Sequence, residues 1–250
     1  MKKIFLYILA GSLCFSACKK DDEAQTFVEP DDVAVRNTYD DQAIQKFLND
    51  NYLDTQGNIK AFSATDTIDD HEKKLAELNP VKLPSGVVYI VRAGAQPSPA
   101  KTIGATDVLR MMVRANYYLA TNTDGTVALV ASSVSPSLVN TVNGTGSPLS
   151  DPMWYYVKQA VINDKNLPAV ARERKYYEIE GFQEGLKFFK AASPALTDGA
   201  PYNLQGVIIV PSRAAFGREA HYNYTGYSLQ NRTFVFNFQV YGTSDRPANE

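Results

Sequence analysis

Side chains capable of covalent or metal chemistry are few and scattered in this sequence. Histidine occurs twice, at His71 and His221, with no ligand-type residues at zinc-motif spacing around either. Neither a phosphate-cradling G-x-x-x-x-G-K-[ST] loop nor a G-x-S-x-G nucleophile elbow is present. The two cysteines, Cys14 and Cys18, sit at the N-terminal end. Neither a metal ion nor a cofactor is expected. Aromatic side chains are abundant instead, with 15 Tyr and 12 Phe. In the last third they fall within three ordered strings: E-I-E-G-F-Q-E-G-L from Glu178, V-I-I-V-P-S-R-A-A-F-G from Val207, and T-F-V-F-N-F-Q-V from Thr233.

In their order and spacing these strings resemble the FKBP family of peptidyl-prolyl cis-trans isomerases. The resemblance implies an α+β fold, an FKBP-like antiparallel sheet wrapped on a short helix around an aromatic pocket that holds a prolyl peptide bond. Phe182 stands where the family usually has the tryptophan of the pocket floor, and Phe216 where it usually has a pocket tyrosine. Phe236 matches the pocket phenylalanine of the last strand, and Ile179 would close one side, its backbone amide holding a substrate carbonyl. A tyrosine of the long strand should also contribute. Counting back from Gly125 selects Tyr118, whereas alternation along the strand leaves Tyr117 on the Leu109 face, so both stand as candidates. If Ser132-Ser133 match the family's paired serines, Val130 and Ala131 replace its phenylalanine and aspartate, removing a carboxylate acceptor from the pocket. The loop from Arg218 to Arg232 would overhang the site, with His221 and Tyr227 as substrate contacts beside Tyr222 and Tyr224.

Such a pocket works without acids or metals. Amide rotation faces a barrier of roughly 18–20 kcal/mol because the C–N bond has partial double-bond character. An apolar cavity that strips water from the amide favours the twisted, less polar form, which is differential stabilisation of the transition state. The implied function is a lipid-anchored envelope isomerase, a foldase acting on proline-containing exported polypeptides. The alternative is a catalytically weak or inactive FKBP-like binding module in an outer-membrane or surface assembly. Glycan binding through exposed tyrosines is a third reading.

The elements that must position these residues follow from periodicity. The FKBP-like domain is expected over 83–242. Val87–Arg92 has strand composition. Asp107–Tyr117 alternates apolar and polar residues and predicts a long strand, Thr123-Asp124-Gly125 a turn, and Val127–Ala131 the returning strand. An insertion over about 134–174 begins as a loop with Pro136, Asn143, Gly144, Gly146 and Pro148. It then carries Trp154, Tyr155, Tyr156 and Val157, a cluster that packs on the body, covers the pocket or holds an envelope protein partner. Leu167–Arg174 is expected to be helical, Tyr176–Ile179 a strand, Phe182–Lys190 the pocket helix, and Val207–Val210 a short strand. On the last strand Phe234, Phe236, Phe238 and Val240 share the core face.

The N-terminus predicts an address. Lys2 and Lys3, the apolar run Ile4–Phe15 and then Ser16-Ala17-Cys18 have the order of a secretory signal and resemble a bacterial lipobox, so 1–17 is expected to be removed and Cys18 lipidated. Lys19–Glu23 reads as a surface-export signal of Bacteroidetes or a plain tether. The mature chain would hold no disulfide. Residues 18–37 are expected as tether and 38–82 as a helical extension. In the extension, a helix capped by Asp40 or Asp41 carries the stripe Ala43, Ile44, Phe47 and Leu48, and a second helix covers His71–Leu78. Asp66-Thr67-Ile68 resembles an O-glycosylation signal. A net charge of −2 leaves no footprint for nucleic acid, and membrane contact is expected through the N-terminal lipid only. The location implied is the outer membrane of the cell envelope.

Overall fold

The computed structural model describes residues 27–142, 147–248 and 250. The signal segment, Cys18, Lys19–Glu23 and the loop residues Asn143, Gly144 and Gly146 lie outside the described residues.

Helix α1 spans Val33–Asp50 and is capped by Asp32, whose carboxylate accepts from the Ala34 N–H at 2.7 Å. It therefore starts seven residues before Asp40, inside the expected tether. Asp40 does not cap because it is fully buried: it pairs with Arg36 at 2.9 Å and accepts from the Ser212 backbone N–H at 2.8 Å. The extension is not purely helical. β1 (Asn51–Leu53) and β2 (Ile59–Ala61) form an antiparallel hairpin. The stretch expected as a second helix gives two 3-10 turns, Asp69–His71 and Leu75–Glu77, a tight winding that brings Leu75 and Leu78 to one side.

The body opens with β3 (Val81–Lys82), β4 (Val88–Val91) and β5 (Ala100–Thr102), then the long β6 (Val108–Thr123) and β7 (Thr126–Ala131). Asp124 and Gly125 take φ of 49° and 81°, the left-handed pair that closes a two-residue hairpin. The start of the insertion is strand, not loop: β8 (Ser137–Asn140) and β9 (Leu149–Ser150) both pair with β6. The reason lies in β6, whose 16 residues outrun the six of β7. β7 satisfies the stretch from Tyr118 to Thr123, β8 that from Arg114 to Asn116, and β9 that at Arg110 and Met111, so little of the edge backbone goes unpaired.

Next come α2 (Gln159–Ile162) and a 3-10 turn at Ala169–Arg172, shorter than the helix expected over Leu167–Arg174. Tyr176–Ile179 is no strand. A 3-10 turn at Arg174–Tyr176, tied by the Arg174–Glu178 ion pair at 2.8 Å, leads into α3 (Glu180–Leu186), which stops short of the expected Lys190. β10 (Lys190–Ala192) takes over there and pairs with β5. β11 (Gly206–Val210) and β12 (Arg232–Ser244) complete the chain.

The main sheet runs β3-β4-β11-β12-β6-β7, antiparallel at every pairing. Its inner face packs α3 and the insertion, burying Phe234, Phe236, Phe238 and Val240 of β12 as alternation predicts. Its outer face, with Val88, Ile90, Val207, Ile209 and Val235, is covered by Ile44 and Leu48 of α1 and by Leu53 and Leu75. Two glycines let α3 reach the sheet: a Cβ on Gly181 would fall 2.5 Å from Val210 Cγ1, and one on Gly185 2.8 Å from Ile208 Cγ2. This is an α+β architecture with a mostly antiparallel sheet and few helices, compatible with an FKBP-like fold.

Candidate functional site

The aromatic residues singled out in the sequence meet on the inner face. Phe182, projecting from the first turns of α3, lies 4.5 Å from Phe236 and 5.7 Å from Phe238 between ring centroids. Phe216, in the turn after β11, meets Phe234 edge-on at 6.0 Å. Tyr117 is cross-strand from Phe234, with the rings 6.2 Å apart, and Ile179 closes the cluster where the chain enters α3. All five predicted residues in this group are between 0 and 3% exposed.

Strand alternation separates the two candidate tyrosines. Tyr117 faces inward, while Tyr118 stands on the outer face against Phe47 of α1, 5.9 Å ring to ring. The count back from Gly125 therefore points to a residue on the wrong side of the sheet for this cluster, because successive side chains of a strand point to opposite faces. Val130 is 49% exposed near the free end of β7, away from the aromatic cluster.

What fills the space between the aromatics is Trp154. Its ring stands edge-on to Phe182 at 5.0 Å and tilts over Phe236 at 5.2 Å, leaving the indole 4% exposed. Its carbonyl accepts the Ile179 N–H at 2.8 Å, the amide expected to hold a substrate carbonyl. The flanking residues hold it in place. Pro152 O accepts from the backbone amides of Tyr155 and Tyr156, Gln183 Nε2 donates to Tyr155 O, and the Tyr155 hydroxyl reaches Gly104 O at 3.2 Å. Arg246 pairs with Asp151 and lies 3.9 Å from the Tyr156 ring centre. Of the uses open to the Trp154 cluster, packing on the body is realised, and the same packing covers Phe182 and Phe236. Sequence reasoning left covering the pocket among three uses of the cluster and did not single out Trp154 as the residue that fills the space between Phe182 and Phe236. The available signal was a volume balance: the chain's single tryptophan lies in the insertion, while the floor position holds the smaller Phe182.

The polar groups of the site are sparse. The Tyr117 hydroxyl is buried with no hydrogen-bond partner among the described residues, and Ala131, where the family's aspartate would stand, is exposed. His221 lies over Phe216 at 4.9 Å, and its Nε2 accepts the Leu229 N–H at 2.9 Å, so the ring proton belongs on Nδ1 facing Tyr222 O. Tyr224 donates to Tyr177 O at 2.8 Å, and burial raises its pKa. Tyr227 is 48% exposed and, with His221 and Tyr176, borders a shallow depression of about 410 Å³. Among the described residues no three His, Cys, Asp or Glu side chains are grouped to hold a metal. The arrangement is apolar at its centre, with the Tyr117 hydroxyl and the His221 ring as polar groups beside it.

No protein-family model matches the sequence, and no curated protein does. Among solved structures, 17 chains match. One is FkpA from Escherichia coli, 18% identical, with 67% of this chain and 53% of that chain covered and a TM-score of 0.33. This chain thus spans about half the length of FkpA. No family and no residue's role is taken from this similarity.

Proposed function

We propose that the protein is a lipid-tethered, FKBP-like module of the cell envelope that binds proline-containing polypeptides, with isomerase activity attenuated or lost. The observation that carries this reading is the Trp154 segment, which occupies both halves of an expected prolyl site. Its indole fills the space between Phe182 and Phe236, and its carbonyl engages the Ile179 amide. An isomerase needs an empty apolar cavity to desolvate and twist an amide, and differential binding cannot operate where the cavity is filled. Two positions point the same way. Phe216 has no hydroxyl to donate, and Ala131, cross-strand from the outward-facing Tyr118, lies on the other side of the sheet, so position 131 could not supply a carboxylate to the cluster. The partnerless Tyr117 hydroxyl supports a site that can still take a ligand, since a buried polar group without a partner costs about 1–3 kcal/mol and a bound carbonyl would relieve it.

The second reading, an outer-membrane foldase, requires residues 152–155 to withdraw before each turnover. A prolyl-isomerisation assay on X-Pro peptides separates the two, with the purified chain beside Trp154→Ala and Phe236→Ala. The expected outcome is negligible acceleration by the parent and tighter peptide binding by folded Trp154→Ala. Acceleration by the parent that disappears in folded Phe236→Ala returns the foldase reading. If neither parent nor Trp154→Ala binds or accelerates, the proline-peptide reading falls altogether.

A further inference from the structure

On the outer face of the sheet, away from the aromatic cluster, α1, β2 and the sheet border an open cavity of about 150 Å³. Its floor is the outward row of β6, Arg114, Asn116 and Tyr118, and its walls are Phe47 from the end of α1, Asn51 at the start of β1 and Ile59 from β2. The cavity exists only because the N-terminal extension is docked.

Its polar groups are unequally spent. Asn237 is committed to the fold: its Nδ2 donates to Gly57 O at 2.9 Å and Gly206 O at 3.1 Å, and its Oδ1 faces the Ile59 N–H at 3.3 Å. Asn51 donates its amide to Phe47 O. The Arg114 guanidinium, by contrast, makes no hydrogen bond or ion pair among the described residues. Its cross-strand neighbours are the neutral Asn237 and Asn140, and no acidic side chain lines the cavity. The Tyr118 oxygen accepts from Asn116 Nδ2 at 3.4 Å, leaving its own proton to donate. Burial raises the pKa of the phenol, against the lowering influence of Asn116 and Arg114.

We infer that this cavity binds a carboxylate carried on a short apolar stem. Arg114 is partly buried, and its guanidinium, open to solvent and without a protein partner among the described residues, stands beside a phenolic proton free to donate; this is a donor surplus with a positive charge, and the planar fork matches a carboxylate in bidentate fashion. Phe47, Ile59 and Val235 supply apolar wall for the stem. The volume lies below the roughly 300–1,000 Å³ of sites for drug-sized ligands. The occupant is therefore a small organic acid or the carboxyl end of a longer chain.

Calorimetric titration of the purified full chain with butyrate, butyramide, inorganic phosphate and a tripeptide with free or amidated C-terminus tests this. Saturable one-to-one binding of butyrate is expected, with no saturation by butyramide. Charge-assisted bonds of this kind predict a loss of about ten-fold or more in Arg114→Gln, and a smaller loss in Tyr118→Phe. Arg114 holds nothing else in place, so an unchanged unfolding midpoint in Arg114→Gln is expected and verifies the comparison. Tighter binding of the free-ended tripeptide than of butyrate identifies a chain terminus as the source, and the reverse order a free acid. Absence of saturable carboxylate binding, equal binding by butyramide, preference for phosphate, or unchanged affinity in folded Arg114→Gln would each overturn the inference.

Discussion

At the scale of single residues, the closed state of the aromatic cluster depends on how residues 151–157 are held. Tyr155 is the anchor that best allows a pH test. Burial, assisted by the nearby Asp107 and opposed by Arg246, pushes its phenol up to about 12, above the ordinary value near 10. A tyrosine with a raised folded pKa favours folding while both states are protonated, and that contribution fades as pH rises from about 10 towards 12. Base unfolding followed by circular dichroism is expected to show stability falling across that window. Tyr155→Phe removes this part of the slope, and a slope unchanged in the variant would mean that other tyrosines produce it. Phe182, Phe216, Phe236 and Ile179 were legible as a group because three separate strings carried them. That Tyr117 and not Tyr118 joins them needed the strand register, since counting from a turn fails by one residue and one residue reverses the face.

At the scale of elements, α1 is fastened to the body by a buried polar knot. Arg36 Nη1 donates to Ala120 O at 2.8 Å, its Nη2 to Asn231 O at 2.8 Å and to Asp40, while Asp40 also takes the Ser212 amide and hydroxyl. Asp40→Ala strands the guanidinium in a dry site and is expected to cost about 3–5 kcal/mol. An Arg36→Met, Asp40→Leu double variant should recover most of that. Urea unfolding midpoints check both, and a single variant no worse than the double would show that the ion pair carries no such role. The long strands β6 and β12 were visible in the sequence because period two held over many residues. β8, β9 and the β1–β2 hairpin were not, since their short runs have no period of their own and are strands only because a partner edge is there to complete.

At the scale of the whole molecule, the N-terminal extension and the body built on the main sheet share one core. Val88, Ile90, Val207, Ile209 and Val235 are at most 3% exposed only because α1, β1 and the turn at Leu75 lie over them. A chain cut to begin at Leu83 bares that apolar face, and patches of this kind drive association. The truncated chain is expected to be insoluble or self-associated in size-exclusion chromatography, and a monomeric truncation with the parent's unfolding midpoint would refute the shared core. The sequence by itself determined the alternation of the main strands and the turn at Asp124-Gly125, because each is a local pattern, while the gathering of Phe182, Phe216 and Phe236 was what the resemblance of their three strings implied. Only the tertiary structure decided that Trp154 fills the space between those aromatics, that Asp40 is a buried anchor and not a cap, and that Arg114 lines a cavity under the docked extension. Those outcomes depend on which surfaces meet across long sequence separations, and volume, dielectric and hydrogen-bond competition at such meetings leave no periodic trace along the chain.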